Sequence, residues 1–577
     1  MRVNSIADTN YVSSTGKVQK NYSFKPKYLN NIGFDKVSFG RIGIPEKYQK
    51  TDVPINVDLE TAKYVANSLS TSTSGHRATW MSEKLNPEIV KLITLGVAKY
   101  AKQEAVKKGY NEDEATVLIG GDTREATRSS LPKIAETLRK QGVNVIYLGK
   151  PAPTPLLALL AKEKNVDLAV LMTASHNPWK DGGYNLVTLE GAIAPASVTK
   201  QVAEYMIDIA KKGSYKEYVN EEACGRVAPF DPYNTYKNQL NDIKLVDFDN
   251  IKKSGVEIFY DGLQGAGPTV VPRLYNDFGI PIKEVKSSGQ KGPNPIDENL
   301  TVLKDAVKNS DAKLKIGLAT DGDADRFGVV DENGKFISPN DVILLVGYHL
   351  LKNKGKTGTV IRSQATSMQL DKLAENYGAE SIVTPVGFKY IGKDIEELRA
   401  NGKDILVAGE ESGGLTVNGH IPEKDGIIAT ALIADLVAKE RKPVSEILKD
   451  VKESLGVSYQ INSFNKEFTD EAKKNEVMEN IGNMWKNVTS KSGKTYFDET
   501  HEIDKDATIE ADANNRKYRE GGDGYKFVLK DGSTVLIRKS GTEPIIKCYI
   551  ESTGKDSERA KENSQVLRIK AESMLKA

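Results

Sequence analysis

Four short stretches of the chain carry residues whose types and spacing can do chemistry. In VDLAVLMTASHNPWKDGG the apolar run Leu168–Met172 leads straight into a polar turn holding Ser175, His176 and Asn177. A plain strand-end turn accounts for that composition, because Ser, Asn and Pro are turn formers. Ser175 lacks the G-x-S-x-G elbow of hydrolases, and a base adjacent in sequence has poor geometry for activating it. That leaves a serine suited to some other covalent role. In KIGLATDGDADRFGVV, Asp321, Asp323 and Asp325 alternate just after the apolar run Ile316–Ala319. Three carboxylates this close repel one another, and a divalent cation with hard oxygen ligands relieves the repulsion. Asp321, Asp323, Asp325 and Glu332 fall on the first, third, fifth and twelfth positions of an EF-hand loop. That reading fails because the turn glycine is replaced by Arg326 and a strand stands where the entering helix belongs. A magnesium loop between two strands fits better, and Arg326 beside it suits a phosphorylated ligand.

The other two stretches fit a sugar phosphate. In DILVAGEESGGL, Glu410, Glu411 and Ser412 follow the run Ile405–Ala408. Paired carboxylates could be an acid and a base, as in glycosidases. Adjacent residues on an extended segment point apart, however, so Glu410 and Ser412 share a side and are better placed to bond sugar hydroxyls. Upstream, TPVGFKYIG puts Lys389 on a turn at Gly387, where by itself it reads as a surface lysine. In VLIRKSGTEP, Arg538, Ser540 and Thr542 flank Gly541 directly after a strand, and such a turn can cradle a phosphate through its amides, two hydroxyls and a guanidinium. A surface turn explains this last stretch equally well when it is taken alone.

The elements that must position these loops repeat along the chain. Three times a short apolar strand, a polar turn, an amphipathic helix ended by Gly and a second strand occur in succession. The first copy is Thr116–Gly120, the helix Ser129–Gln141 and Val143–Leu148. The second is Val256–Tyr260 with a helix opening at Pro268, and the third is Thr359–Arg362, a helix from Ser367 and Ser381–Thr384. Strand, helix and parallel strand form a βαβ unit, so the fold expected is α/β. It comprises three tandem α/β domains with mixed sheets plus a smaller C-terminal α+β domain. The expected divisions are an extension over 1–66, domains over 67–231, 232–355 and 356–456, and a last one over 457–577. Residues 1–66 read as a loosely structured extension with a short helix near 58–67, and 490–524 as a solvated insertion. All four chemical loops then lie at the carboxyl ends of strands, where α/β proteins bind ligands, which makes one shared cleft more economical than four accidents.

Composition excludes other classes. The 577 residues suffice for about four domains. A net charge of +2, from 81 basic and 79 acidic residues spread along the chain, leaves no footprint for nucleic acid or an anionic membrane. Cys224 and Cys548, the only cysteines, build neither a disulfide framework nor a thiolate zinc site. No apolar run reaches membrane-spanning length and no leader is evident, so a cytoplasmic protein is expected, with its oligomeric state left open.

Together the motifs TASHNP, DGDADR, GEESGG and RKSGTEP, in that order, resemble the α-D-phosphohexomutase superfamily over roughly residues 67–577. The resemblance implies an isomerase with four domains around a central cleft, phosphorylated on Ser175 and holding Mg2+ through Asp321, Asp323, Asp325 and the serine. It implies that Arg77, in STSGHRA, lies near the transferring phosphate. It also implies catalytic roles for His176 and Arg326, and a phosphate site at Arg538, Ser540, Gly541 and Thr542. Glu410, Ser412 and Gly387 would bind the sugar.

The expected reaction interconverts glucose 1-phosphate and glucose 6-phosphate through glucose 1,6-bisphosphate, with mannose phosphates as further substrates. Phosphoglucosamine mutase, phosphopentomutase and a non-catalytic relic that binds metal and sugar phosphate are the alternatives. Three features depart from the superfamily pattern. Asn185 stands where a proton-transferring lysine is common, which makes Lys389 the substitute candidate with Lys180 and His176 behind it. Ala78 replaces a glycine after Arg77, a change expected to alter a local turn, and residues 1–66 have no counterpart.

Overall fold

A computed structural model describes residues 49–72, 75–287, 292–490, 509–510, 524–529, 531–540 and 544–576, with the side chains of 485–490 and 509–510 excepted. Strands β1 (Lys50–Pro54), β2 (His76–Thr79), β3 (Thr116–Gly121), β4 (Asn144–Tyr147), β5 (Leu168–Met172), β6 (Asp181–Val187), β7 (Ser214–Tyr218) and β8 (Val227–Pro229) come first. Six of them form a mixed sheet in the order β2-β6-β5-β3-β4-β8, and β1 pairs with β7. Helices α1 (Leu59–Thr71), α2 (Pro87–Lys107), α3 (Glu125–Lys140), α4 (Thr154–Lys164) and α5 (Ala196–Lys212) surround this sheet. Side chains alternate across it. Val117, Ile119, Leu168, Val170 and Met172 join one core with α1, α2 and α3, while Leu118, Ala169 and Leu171 are equally buried on the other side. Burial on both faces explains why β5 is apolar throughout rather than alternating.

Three sheets follow. The second, in the order β10-β9-β11-β12-β13, comprises β9 (Glu257–Asp261), β10 (Ile282–Val285), β11 (Lys315–Thr320), β12 (Phe327–Val330) and β13 (Phe336–Ile337). The third, β15-β14-β16-β17, comprises β14 (Thr359–Ser363), β15 (Ser381–Thr384), β16 (Ile405–Glu410) and β17 (Gly414–Val417). The fourth, antiparallel in the order β18-β22-β21-β20-β19, comprises β18 (Ser458–Glu467), β19 (Ile509–Glu510), β20 (Gly524–Leu529), β21 (Thr534–Lys539) and β22 (Ile545–Gly554). Each of the first three sheets contains a strand–helix–parallel strand unit: β3 with β4, β9 with β10, and β14 with β15. The architecture is α/β with a distinct C-terminal sheet.

Several local expectations are corrected. The stretch 49–66 is not a loose extension: β1 pairs with β7, and α1 buries Ala62, Val65, Ala66 and Leu69. Asp58 starts this helix by accepting the Thr61 amide at 2.8 Å. Residues 1–48 lie outside the described residues, as does the insertion 490–524 apart from Ser490, β19 and Gly524. Helix α3 starts at Glu125, not Ser129, because Asp122 accepts the Arg124 amide and the Thr127 hydroxyl and so closes the first turn ahead of Pro132. The helix read as opening at Pro268 is a short 3-10 turn followed by Val271–Asp277, and that read from Ser367 is Gln369–Asn376. Ala78 lies inside β2, paired with Gly182, so it alters no turn. Among the described residues no helix is long and apolar enough to cross a membrane.

Candidate active site

The Ser175 loop leaves the carboxyl end of β5 and is held by a buried guanidinium. Arg124 donates to the carbonyls of Ser175, Asn177 (2.7 Å), Pro178 (2.6 Å) and Asp181 (3.1 Å), and to Asp122 Oδ2 at 2.9 Å. The Ser175 amide donates to Thr173 Oγ1, which itself donates to Asp122 Oδ2. This cage holds Ser175 at φ 51°, a left-handed conformation that a serine occupies only when its surroundings enforce it. Arg124, in the polar turn between Gly120 and Ser129, was missed at the sequence level, since nothing local to it shows that it meets the serine loop.

From that conformation the Ser175 hydroxyl reaches the second sheet. It donates to Asp321 Oδ2 at 2.8 Å and lies 3.4 Å from His176 Nδ1. Burial, reinforced by the Arg326, Arg77 and Lys547 charges, pushes the His176 imidazolium pKa down to about 2, so the ring is neutral.

The three aspartates follow β11, are buried, and offer oxygens within 4.8 Å of one another. Asp321 Oδ1 accepts the Arg326 amide at 3.1 Å. Asp325 Oδ2 pairs with Lys424 at 3.0 Å, whereas Asp325 Oδ1 and Asp323 Oδ1 have no hydrogen-bond partner. Burial, together with repulsion among the three, raises the Asp321 and Asp323 carboxyls above the usual range. Crowded, buried carboxylates with unpartnered oxygens are the donor set of a hard divalent cation, so the residues present fit magnesium. The Nε atoms of Arg77 and Arg326 are also buried without a hydrogen-bond partner, and the Arg77 charge interacts with Asp323, Asp325 and Arg326. Gly183, opposite Arg77 in β6, gives it room: a Cβ there would stand 2.1 Å from the Thr173 carbonyl and 3.1 Å from Arg77 Cγ.

Glu410 ends β16. Its Oε1 accepts the amide of Gly387 at 2.6 Å, and Gly387 adopts φ 129°, open to glycine alone. Burial, then repulsion from Glu411, raises the Glu410 carboxyl to about 7. Glu411 turns the other way and accepts the hydroxyls of Ser363 (2.9 Å) and Thr366 (3.2 Å), while Ser412 is half-buried in the turn before β17. Lys389 is half-buried at the start of the helix Phe388–Ala400, with its ammonium 5.2 Å from the Tyr390 ring. The lysine at the aspartates is Lys424, missed because IPEKDG carries no local signal. Burial opposes its charge, but Asp325, Glu423 and Glu410 outweigh that and hold the ammonium charged.

Arg538 lies on β21 and Ser540 is buried just beyond it, whereas Gly541 and Thr542 lie outside the described residues. Opposite Arg538 on β22 stands Lys547, a second residue the sequence reading missed. Like charges directly across a ladder repel, which an anion between them would relieve. Lys547 depresses His176, and Tyr549 interacts with Glu411, Arg538 and Glu410, so the fourth sheet faces the serine and sugar loops. Glu551 ties it to the third sheet by accepting the Met368 amide at 2.7 Å and the Ser367 hydroxyl. Asn185 leaves its Oδ1 buried without a hydrogen-bond partner. It is buried, and its amide donates to the carbonyls of Leu171 (3.2 Å) and Thr173 (2.9 Å). Lys180 is exposed.

The models of one family match along the chain: the phosphoglucomutase/phosphomannomutase α/β/α domains I over residues 68–212, II over 234–334 and III over 338–454, and the C-terminal domain over 500–569. The chain belongs to the phosphoglucomutase/phosphomannomutase family. It is a phosphohexomutase, an isomerase that transfers phosphate intramolecularly. A phosphoglucomutase/phosphomannomutase of Thermococcus kodakarensis is 27% identical, covering 83% of this chain and 94% of the relative. A phosphoglucosamine mutase of Finegoldia magna is also 27% identical, covering 80% and 92%. The fold is similar to that of the Paramecium phosphoglucomutase parafusin in an open form, with a TM-score of 0.69 at 22% identity over 88% of this chain and 95% of that one. It is likewise similar to a phosphoglucomutase/phosphomannomutase family protein of Burkholderia thailandensis, with a TM-score of 0.65 at 20% identity over 88% and 98%.

Proposed function

We propose that this phosphohexomutase interconverts glucose 1-phosphate and glucose 6-phosphate through a phosphoserine at Ser175 and a bound glucose 1,6-bisphosphate, and also accepts mannose phosphates. The observation that carries the reading is the Ser175 hydroxyl held 2.8 Å from Asp321 Oδ2, with the half-buried Arg77 and Arg326 each holding a buried Nε atom without a hydrogen-bond partner. Phosphoryl transfer depends chiefly on positioning and on stabilising charge, and both are available here. Asp321, Asp323 and Asp325 would hold a magnesium ion, whose charge offsets that on the phosphoryl oxygens.

Arg77 and Arg326 face the same oxygens from the protein side. The sugar hydroxyl bonds to phosphorus as the bond to Ser175 Oγ breaks, and its proton ends on that oxygen, restoring the hydroxyl that donates to Asp321. After the bisphosphate turns over, its other phosphoryl group returns to Oγ by the reverse exchange. Glu410, Ser412 and Gly387 orient the sugar, while Arg538, Ser540, Gly541, Thr542 and Lys547 hold the phosphate that is not transferred. The neutral His176 ring accepts hydrogen bonds beside the serine, and Lys389 is the further candidate for moving a proton. The domains that carry these loops are proposed to divide near residues 231, 355 and 456.

A second reading, glucosamine phosphate as main substrate, is favoured by relatives named phosphoglucosamine mutase at 26–29% identity. Phosphorus NMR decides between them. The protein is incubated with magnesium, catalytic glucose 1,6-bisphosphate and equimolar glucose, mannose and glucosamine 1-phosphates. Fastest loss of the glucose 1-phosphate resonance is expected, and fastest loss of the glucosamine resonance would overturn the glucose assignment. Conversion of none of the three would overturn the reading of this cleft as a hexose-phosphate site.

A further inference from the structure

Thr154 opens α4 on the first sheet, and both of its polar groups point across to the aspartate loop of the second. Its amide donates to the Asp323 carbonyl at 2.8 Å and its hydroxyl to Asp323 Oδ2 at 2.6 Å. The residue is buried, Pro153 stands before it and Pro155 after it, and neither proline has an amide hydrogen that could compete for Asp323. The consequence is an asymmetry within one carboxylate. Oδ2 is occupied by Thr154 and Oδ1 is buried without a partner, in a carboxylate that lies within 4.8 Å of oxygens of Asp321 and Asp325.

We propose that Thr154 is a positioning residue for the divalent cation: by holding Oδ2 it fixes the rotation of the Asp323 carboxylate and presents Oδ1 as the ligand. Two bonds to a single residue, one to its backbone and one to its side chain, leave the carboxylate little freedom, so the site is organised before the ion arrives. Because Thr154 and Asp323 belong to different sheets, cation affinity becomes linked to how the first two layers dock. The proposal rests on the aspartates being a cation site.

The test is a titration of the full-length, unphosphorylated protein with Mn2+ followed by electron paramagnetic resonance, which reads binding without turnover. Thr154→Val keeps the shape and loses the donor, and is expected to weaken Mn2+ binding about 10- to 100-fold. Thr154→Ser should bind as wild type. Leu157→Ala, one turn further along the same helix and buried in its packing, separates positioning from general weakening of the helix, and is expected to lower the melting temperature without changing Mn2+ affinity. Should the valine variant fail to fold, Thr154→Ala makes the same comparison. Wild-type affinity in Thr154→Val, or an equal loss in Leu157→Ala, would overturn the proposal alone. Absence of Mn2+ binding by the wild type would overturn the cation reading and the proposal with it.

Discussion

The Ser175 hydroxyl donates a 2.8 Å hydrogen bond to Oδ2 of Asp321, a residue 146 positions further along the chain and on another sheet. Once Ser175 carries a phosphoryl group it has no proton to donate, and Asp321 Oδ2 is released. On the proposed mechanism, removing the hydroxyl removes the phosphoryl carrier itself. Ser175→Ala is expected to lose roughly 10⁴-fold or more in kcat, by analogy with the loss of other covalent nucleophiles. Intact-mass spectrometry after incubation with glucose 1,6-bisphosphate should find the wild type partly phosphorylated and the variant not at all; phosphate retained by the variant would mean that another residue is the carrier.

Glu410 makes stability depend on pH in a defined direction. Its carboxyl rises from the usual 4.5 to about 7 through burial and then Glu411, so between those values the folded chain holds a proton that the unfolded chain has released. Its contribution to stability therefore falls as pH rises through that window and is flat above it. Glu410→Gln, which can still accept the Gly387 amide, removes the dependence. Urea unfolding at pH 5 and pH 8 should show the variant gaining on the wild type by on the order of 2–3 kcal/mol at the higher pH. An equal difference at both values would contradict the assignment.

Gly322, between two of the aspartates, keeps the serine and aspartate loops in contact. A Cβ there would stand 2.7 Å from the Ser175 carbonyl oxygen and 3.0 Å from Pro293 Cγ. The carbonyl belongs to a loop pinned by Arg124 and has little room to move. Gly322→Ala should cost about 1–3 kcal/mol in a denaturant titration. Its kcat should fall on the order of 10²-fold, because a displacement of about 1 Å suffices for that loss.

Asn185 ties the end of β5 to β6 through its bonds to the Leu171 and Thr173 carbonyls. Asn185→Lys, which places the lysine common in the superfamily at this position, would bury an ammonium and lose the bonds to the Leu171 and Thr173 carbonyls. Crowding would add to the cost, since a Cβ on Gly75 would already stand 2.7 Å from Asn185 Oδ1. A destabilisation of about 3 kcal/mol or more is expected, with no gain in turnover. A variant both stable and faster would mean that the position is catalytic after all.

The places where sequence and structure part company follow a pattern. The strands ending at Met172, Thr320, Glu410 and Lys539 and the loops after them were legible, because apolar runs followed by turn residues are local signals that need no partner. The alternation of Glu410 and Glu411 was legible for the same reason. Lys424, Lys547, Arg124 and Thr154 were not: each sits in an unremarkable context and acquires its role only when another part of the chain is packed against it. The helix near 58–67 was legible and is α1, but the strand Lys50–Pro54 was hidden, since β1 has no core of its own and is defined by pairing with β7, far along the chain.

The sequence by itself therefore determined the candidate groups: one serine, three aspartates, a proposed sugar loop and a proposed phosphate turn, each read at the carboxyl end of a strand. Tertiary structure alone decided that Oδ1 of Asp323 and Oδ1 of Asp325 are without a hydrogen-bond partner while both oxygens of Asp321 are engaged, and which lysine keeps its charge beside them. Those outcomes depend on burial and on hydrogen bonds between residues more than a hundred positions apart, such as Thr154 with Asp323 and Ser175 with Asp321, and local periodicity carries no record of them.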